Sequence, residues 1–303
     1  MKKKSIIAAV VVCVIIIACV VPMALRGLDK QDKKIVVGTK DFTEQFVFGY
    51  IFKDLIEGNT DYTVDLKEGL GGTEVCFGAL KSGEIDLYLE YTGTAYGAIL
   101  ALPNEEGIDM YNEVKTKLHE LYGIEAVNRI GFNNTYCLAM RRADIDNYAI
   151  SKVSDLISLD KKFRITPSFE FAEREDGLKK LQKDYEGIQF SEVIPMDGTL
   201  RYIAADSNET DIVISFSTDG MLKKYDLVIL EDDLHSMFPY EATPLVREGA
   251  LKDFPELEDV LNKLSEAISD EDMQYMNYQV DVEQKKPEEV AHQFLVERGL
   301  VAK

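Results

Sequence analysis

Apolar residues run without a break from Ile6 to Leu25, between the basic opening Met1-Lys-Lys-Lys-Ser5 and Arg26. A charged lead followed by about one bilayer thickness of apolar helix marks an export signal or an anchor, not part of a folded core. After a short polar linker the pattern changes to brief apolar runs alternating with longer amphipathic ones. Lys34-Ile-Val-Val-Gly38 predicts a buried strand ending in a turn. Beyond Thr39, apolar side chains recur at Phe46, Phe48, Tyr50, Ile51, Leu55 and Ile56, a helical spacing with Asp41 or Thr43 placed to cap it. Residues 62–66 predict a second strand, and Gly69-Leu-Gly-Gly-Thr73 a turn that opens a helix to about residue 81. Those glycines do not complete a dinucleotide or P-loop fingerprint. Further helices are expected at 110–122, 176–185, 253–268 and from Pro287 onward, with strands at 136–140, 164–167, 212–216 and 227–230. Short strands alternating with helices indicate an α/β fold.

One internal echo sharpens this picture. Residues 79–92 align with residues 204–217 at a constant shift, with Ala79, Ser82, Glu84 and Asp86 matching Ala204, Ser207, Glu209 and Asp211. Each copy reads as a helix end, a turn and a short apolar strand that finishes on an aromatic, Tyr91 or Phe216, followed by a hydroxyl residue. Ligands of open α/β sheets bind at the carboxyl ends of strands. The two aromatics are therefore expected at equivalent edges of two similar lobes, facing one cleft.

Composition narrows the function. The 303 residues carry 34 Lys+Arg against 54 Asp+Glu, a formal net charge of −20. So acidic a chain lacks the basic footprint that nucleic acid requires, and its body is unsuited to anionic lipid. Three histidines, His119, His235 and His292, stand far apart, without metal-ligand spacing. Four cysteines exclude a disulfide-dense scaffold. Ile16-Ile17-Ala18-Cys19 resembles a bacterial lipoprotein cleavage box with Cys19 as the lipidated residue; the alternative is an uncleaved membrane anchor. Either places the body on the extracytoplasmic face of the cell membrane, tethered through residues 1–28. Cys76 and Cys137 are expected to be buried free thiols.

No catalytic arrangement is present in the pattern. Ile214-Ser-Phe-Ser-Thr-Asp-Gly220 is not a nucleophile elbow, and no cysteine has a nearby histidine. The run Glu231-Asp232-Asp233 reads as a solvated loop. What remains is a set of aromatics at strand ends and loops: Tyr91, Tyr136, Phe216 and Tyr240. Taken singly each suits a core. Together they would form a box for a quaternary ammonium, which has no N–H to donate and is held by ring faces at about 0.5–2 kcal/mol each.

At these residues the sequence resembles a known family. Val37-Gly-Thr-Lys-Asp-Phe-Thr-Glu-Gln45, Glu90-Tyr-Thr-Gly-Thr94, Glu170-Phe-Ala-Glu-Arg174 and Ser217-Thr-Asp-Gly220 are similar to motifs of the glycine betaine/carnitine/choline substrate-binding proteins of osmoprotectant ABC importers, as is the stretch from Leu230-Glu-Asp-Asp233 to Pro239-Tyr240. The resemblance runs from Lys34 to the C-terminus. It implies a type II periplasmic-binding-protein fold: two α/β lobes, one at 33–137 plus 217–303 and the other at 138–216, with a cleft that closes on the ligand. It implies an ammonium cage at Tyr91, Tyr136, Phe216 and Tyr240, and a carboxylate or polar end held by Lys40, Thr94 and Arg174. Asp197, Tyr202 and Asn134 are further expected to line the cleft. Family members usually carry Tyr where this chain has Phe216, so a hydroxyl is missing there. No cofactor, metal or enzymatic step is implied. The implied partners are a small quaternary ammonium ligand and a separate ABC permease with its ATPase subunit. The rival readings are a choline-preferring protein and a ligand-binding sensor without transport.

Overall fold

A computed structural model describes residues 34–103, 108–159, 162–196 and 198–302. The described residues from Ile35 onward form one compact unit. Among the described residues ten strands follow in chain order: β1 Lys34–Gly38, β2 Thr63–Lys67, β3 Leu87–Tyr91, β4 Ile124–Ala126, β5 Tyr136–Arg141, β6 Phe163–Thr166, β7 Phe190–Val193, β8 Ile212–Phe216, β9 Leu227–Ile229 and β10 Ala242–Arg247. They divide into two five-stranded mixed sheets, ordered β2-β1-β3-β10-β4 and β7-β6-β8-β5-β9. Helices flank both, which gives the two-lobed α/β architecture of periplasmic substrate-binding proteins. The chain crosses from the first sheet to the second between β4 and β5, and returns between β9 and β10. The two crossings run side by side. Asn134 N–H donates to the Tyr240 carbonyl at 3.0 Å, Tyr240 N–H to Asn133 Oδ1 at 2.6 Å, and the Thr135 hydroxyl to the Phe238 carbonyl at 2.9 Å.

The echo in the sequence is a structural repeat. Helix Thr73–Ser82 leads into β3, and helix Leu200–Asp206 into β8. Glu84 N–H bonds the Ala79 carbonyl as Glu209 N–H bonds that of Ala204. Each Asp closes the turn in the same way. Asp86 accepts from Val36 N–H at 2.8 Å while its own N–H returns to the Val36 carbonyl at 2.7 Å. Asp211 does this with Arg164, at 2.8 and 3.2 Å. Both carboxylates also hold a guanidinium: Asp86 that of Arg247, Asp211 that of Arg164. Each Asp thus binds the start of its strand to the parallel neighbour, so β3 and β8 end at matching places.

Several elements were not expected from the sequence. β10 contains Pro244, which ordinarily demotes a strand. Here it pairs antiparallel with β3, Pro244 opposite Leu89, inside the first sheet. Helix Asp270–Asp281 is acidic and only weakly amphipathic; its signal is the capping box of Ser269 and Asp272. The stretch 253–268 resolves into Leu257–Leu261 and a 3-10 turn. β9 pairs with β5, so the second sheet reaches beyond residue 216, where the second lobe was expected to end. The acidic run is not merely solvated. Asp232 accepts from the Tyr185 hydroxyl and from the backbone of Ser236 and Met237, and Asp233 from Ser154. Cys76 and Cys137 are buried and free.

Removing either turn carboxylate takes an ion-pair partner from its guanidinium and leaves the neighbouring strand N–H unpaired. Asp86→Ala and Asp211→Ala are each expected to lower unfolding free energy by about 2–3 kcal/mol, read as a drop in Tm.

Candidate ligand-binding site

A cavity of about 390 Å³ opens where the first crossing meets the segments that follow β1, β6 and β8. One wall is aromatic. Phe216, the last residue of β8, lies opposite Tyr136, the first of β5, and their ring centroids are 4.7 Å apart. Phe42, just before helix Thr43–Asn59, stacks on Phe216 at 5.8 Å with the ring planes 14° apart. Tyr136 also meets Phe171 at 4.7 Å and the edge of Tyr240 at 5.2 Å. Tyr136, Phe216 and Phe42 line the cavity itself, together with Tyr202 and Asn134.

The floor is built around Glu44. Its carboxylate accepts from the Tyr91 hydroxyl at 2.6 Å, Asn134 Nδ2 at 2.7 Å, the Thr218 hydroxyl at 2.7 Å and Asn277 Nδ2 at 3.0 Å. Burial pushes its pKa up, and the four donors pull it back only in part. Helix Asp270–Asp281 can bring Asn277 there because Gly220 has no side chain: a Cβ on it would lie 2.5 Å from the Tyr278 Cα.

Charge is distributed unevenly. Among the described residues, five carboxylates line the cavity, those of Asp41, Glu44, Glu170, Asp219 and Asp281, against one cation, Arg201. Arg201 is 6% exposed, with its guanidinium 5.5 Å from the Phe216 ring and 5.2 Å from that of Tyr202. Burial would lower its pKa, but Tyr202 and Asp219 outweigh that and keep it charged. Asp281 accepts from the Thr43 hydroxyl; burial, reinforced by Asp219, pushes its pKa up to about 6. Among the described residues no cluster of three or more His, Cys, Asp or Glu side chains is arranged to hold a metal.

Residues 33–297 match the profile of the family described as the substrate binding domain of ABC-type glycine betaine transport systems. The chain belongs to this family. It is 38% identical to the ergothioneine transport permease/ergothioneine binding protein EgtU of Helicobacter pylori, covering 89% of this chain and 48% of that protein. The chain therefore spans about half the length of that relative. It is 33% identical to the carnitine transport binding protein OpuCC of Listeria monocytogenes, over 97% of both chains. Among solved structures, one described as a glycine betaine/carnitine/choline ABC transporter superposes with a TM-score of 0.75 at 27% identity, covering 89% of this chain and 99% of that one.

The residues expected from the family motifs are distributed as follows. Tyr136 and Phe216 line the cavity, and Tyr240 supports Tyr136 from behind. Tyr91 reaches the site through Glu44, with its ring buried beneath. Thr94 is buried in the short helix Thr92–Thr94, away from the cavity lining. Lys40 is buried too, and its ammonium donates to Glu90 at 2.7 Å and Thr73 at 3.0 Å. Arg174 bonds Asp176 with two nitrogens and Glu170 with a third, at 3.3 Å. Cys19 and Asp197 lie outside the described residues. Among the described residues no helix is long and apolar enough to cross a membrane. Phe42, Glu44 and Arg201 were not singled out from the sequence. Phe42 and Glu44 sit inside a quoted motif, where they read as part of a helix start. Arg201 had no local signal.

Glu44→Gln keeps the volume but turns one acceptor oxygen into a donor facing other donors. We expect about 2–4 kcal/mol of destabilisation, measured by thermal or denaturant unfolding at pH 7. Asp281 binds its proton more tightly folded than unfolded, so its contribution is full at low pH and is lost as pH rises through about 6. Asp281→Asn should therefore raise stability by about 1–2 kcal/mol at pH 7.5 and change it little below pH 4, read from Tm across pH.

Proposed function

We propose that this domain captures a small quaternary ammonium zwitterion outside the cytoplasmic membrane and presents it to a separate ABC permease coupled to an ATPase subunit. In this reading the apolar segment 1–28 tethers the body, with Cys19 as the lipidated residue. The carrying observation is the contiguous aromatic wall of Phe42, Phe216 and Tyr136 inside a cavity with five carboxylates. Ring faces attract a methylated ammonium, which cannot satisfy hydrogen-bond acceptors, and the carboxylates add a long-range attraction for its charge. The family to which the chain belongs supports the same ligand class. Closure of the lobes about the paired crossings would bury the ligand and create the surface a permease reads.

The cavity equals about a dozen water volumes at ~30 Å³ each, more than glycine betaine fills. That room, with the 38% identity to a protein named for ergothioneine, favours a second ligand within the class: ergothioneine, a betaine bearing a thiolated imidazole.

Calorimetric titration with glycine betaine, carnitine, choline and ergothioneine tests both. At least one of the three zwitterions is expected to bind, with Tyr136→Ala and Phe216→Ala each weakening it about tenfold or more. Failure of all four to bind, or binding indifferent to both substitutions, would refute the assignment.

A further inference from the structure

We propose that Glu170 occupies the place of the ligand's carboxylate and is displaced from it when a zwitterion binds. The inference rests on the zwitterion reading above and deepens it.

The family motifs imply a carboxylate end at Lys40 and Arg174, yet neither cation lines the cavity. Glu170 stands between. It lines the cavity of about 390 Å³, and it also lines an adjoining groove of about 830 Å³ together with Arg174 and Thr73. Its carboxylate accepts from the Thr73 hydroxyl at 2.9 Å and from Arg174 Nη1 at 3.3 Å. The Thr73 hydroxyl in turn accepts from the Lys40 ammonium at 3.0 Å. An internal carboxylate therefore already separates the cavity from both cations. Burial alone would raise its pKa, but Lys40 and Arg174, with the Thr73 hydroxyl, pull it below the usual carboxylate value, so it is an anion at neutral pH.

Three carboxylates share these two cations, and Glu170 is the one able to leave. The Glu90 side chain is fully buried and also accepts from the Tyr88 hydroxyl and from Tyr91 N–H, each at 2.9 Å. The Asp176 side chain is 7% exposed, takes two nitrogens of Arg174, and lies against Gly97, where a Cβ would overlap it. The Glu170 side chain is 40% exposed and meets Arg174 through one long bond. An ion pair so open to water is held weakly. Exchange of one carboxylate for another leaves the charge around Lys40 and Arg174 unchanged, so a zwitterion can enter without adding a buried anion.

The place Glu170 fills adjoins the aromatic wall. Phe171, next in the chain, packs on Tyr136 at 4.7 Å, and the Arg174 guanidinium is 5.9 Å from the Tyr136 ring. A short zwitterion can thus keep its ammonium on the rings while its carboxylate takes over from Glu170. Choline has no carboxylate to exchange, and Glu170 keeps its partners.

The test is titration of the full chain, Glu170→Gln, Arg174→Gln and the double variant with glycine betaine, carnitine, ergothioneine and choline. Glu170→Gln is expected to bind the zwitterions about three- to tenfold more tightly, because they no longer compete with a resident anion. Choline is expected to weaken slightly, since the cavity loses a negative charge. The zwitterion gain is expected to vanish when Arg174→Gln is added. A cooperative thermal transition shows that each variant is folded. If Glu170→Gln does not fold, the side-chain carboxyl carbon resonance of Glu170 in the native chain replaces it; that signal is expected to move with a zwitterion and stay with choline. Zwitterion binding unchanged or weakened by Glu170→Gln, a gain shared by choline or kept without Arg174, or a resonance indifferent to the zwitterions overturns the role of Glu170 and leaves the ligand class standing. Zwitterions that fail to bind the native chain overturn both.

Discussion

The site depends on a carboxylate buried where the protein's separate parts converge. Glu44 collects a hydroxyl from the end of β3, an amide from the first crossing, a hydroxyl from the loop after β8 and an amide from helix Asp270–Asp281. An ionised carboxylate out of water is costly unless its lone pairs are filled. Four donors fill them only when all four segments are in register. The same interaction that keeps the acid tolerable therefore fixes the floor of the cavity and the distance between the two strand ends above it.

On that floor the aromatic and charged groups divide the work. The rings of Phe42, Phe216 and Tyr136 present faces without strong directional demands, suited to a methylated cation. The acidic lining makes the space attractive to positive charge as a whole, and among the described residues Arg201 is the one cation in it. Lys40 and Arg174 have carboxylate partners of their own. The Thr73 hydroxyl, which accepts from Lys40 and donates to Glu170, links the Lys40–Glu90 pair of the first sheet's lobe to the Arg174 pairs in the segment after β6.

Much of the fold was legible because it is local. The alternation of runs marked β1, β5 and β8, and the shared helix–turn–strand pattern ending at Tyr91 and Phe216 showed itself as a repeat. The structure adds the reason for that repeat, since Asp86 and Asp211 close identical turns onto parallel neighbours. β10 was hidden by its proline, and helix Asp270–Asp281 by its acidic composition, because in both the tertiary partner outweighs the local preference.

The sequence by itself determined the α/β class, the family and the aromatic character of the site, for these follow from periodicity and from motifs read within a few residues. Tertiary structure decided how closely each cation is paired. The letters of Lys40, Arg174 and Arg201 do not show how closely each is paired. They are distinguished by carboxylates that lie 50 positions from Lys40, two and four from Arg174, and 18 from Arg201, at 2.7 Å, hydrogen-bonding range and 3.5 Å respectively. Whether a cation is spent or available depends on ångström-scale separations that only the packed chain sets, because charge-assisted bonds form within about 3 Å and weaken quickly beyond it.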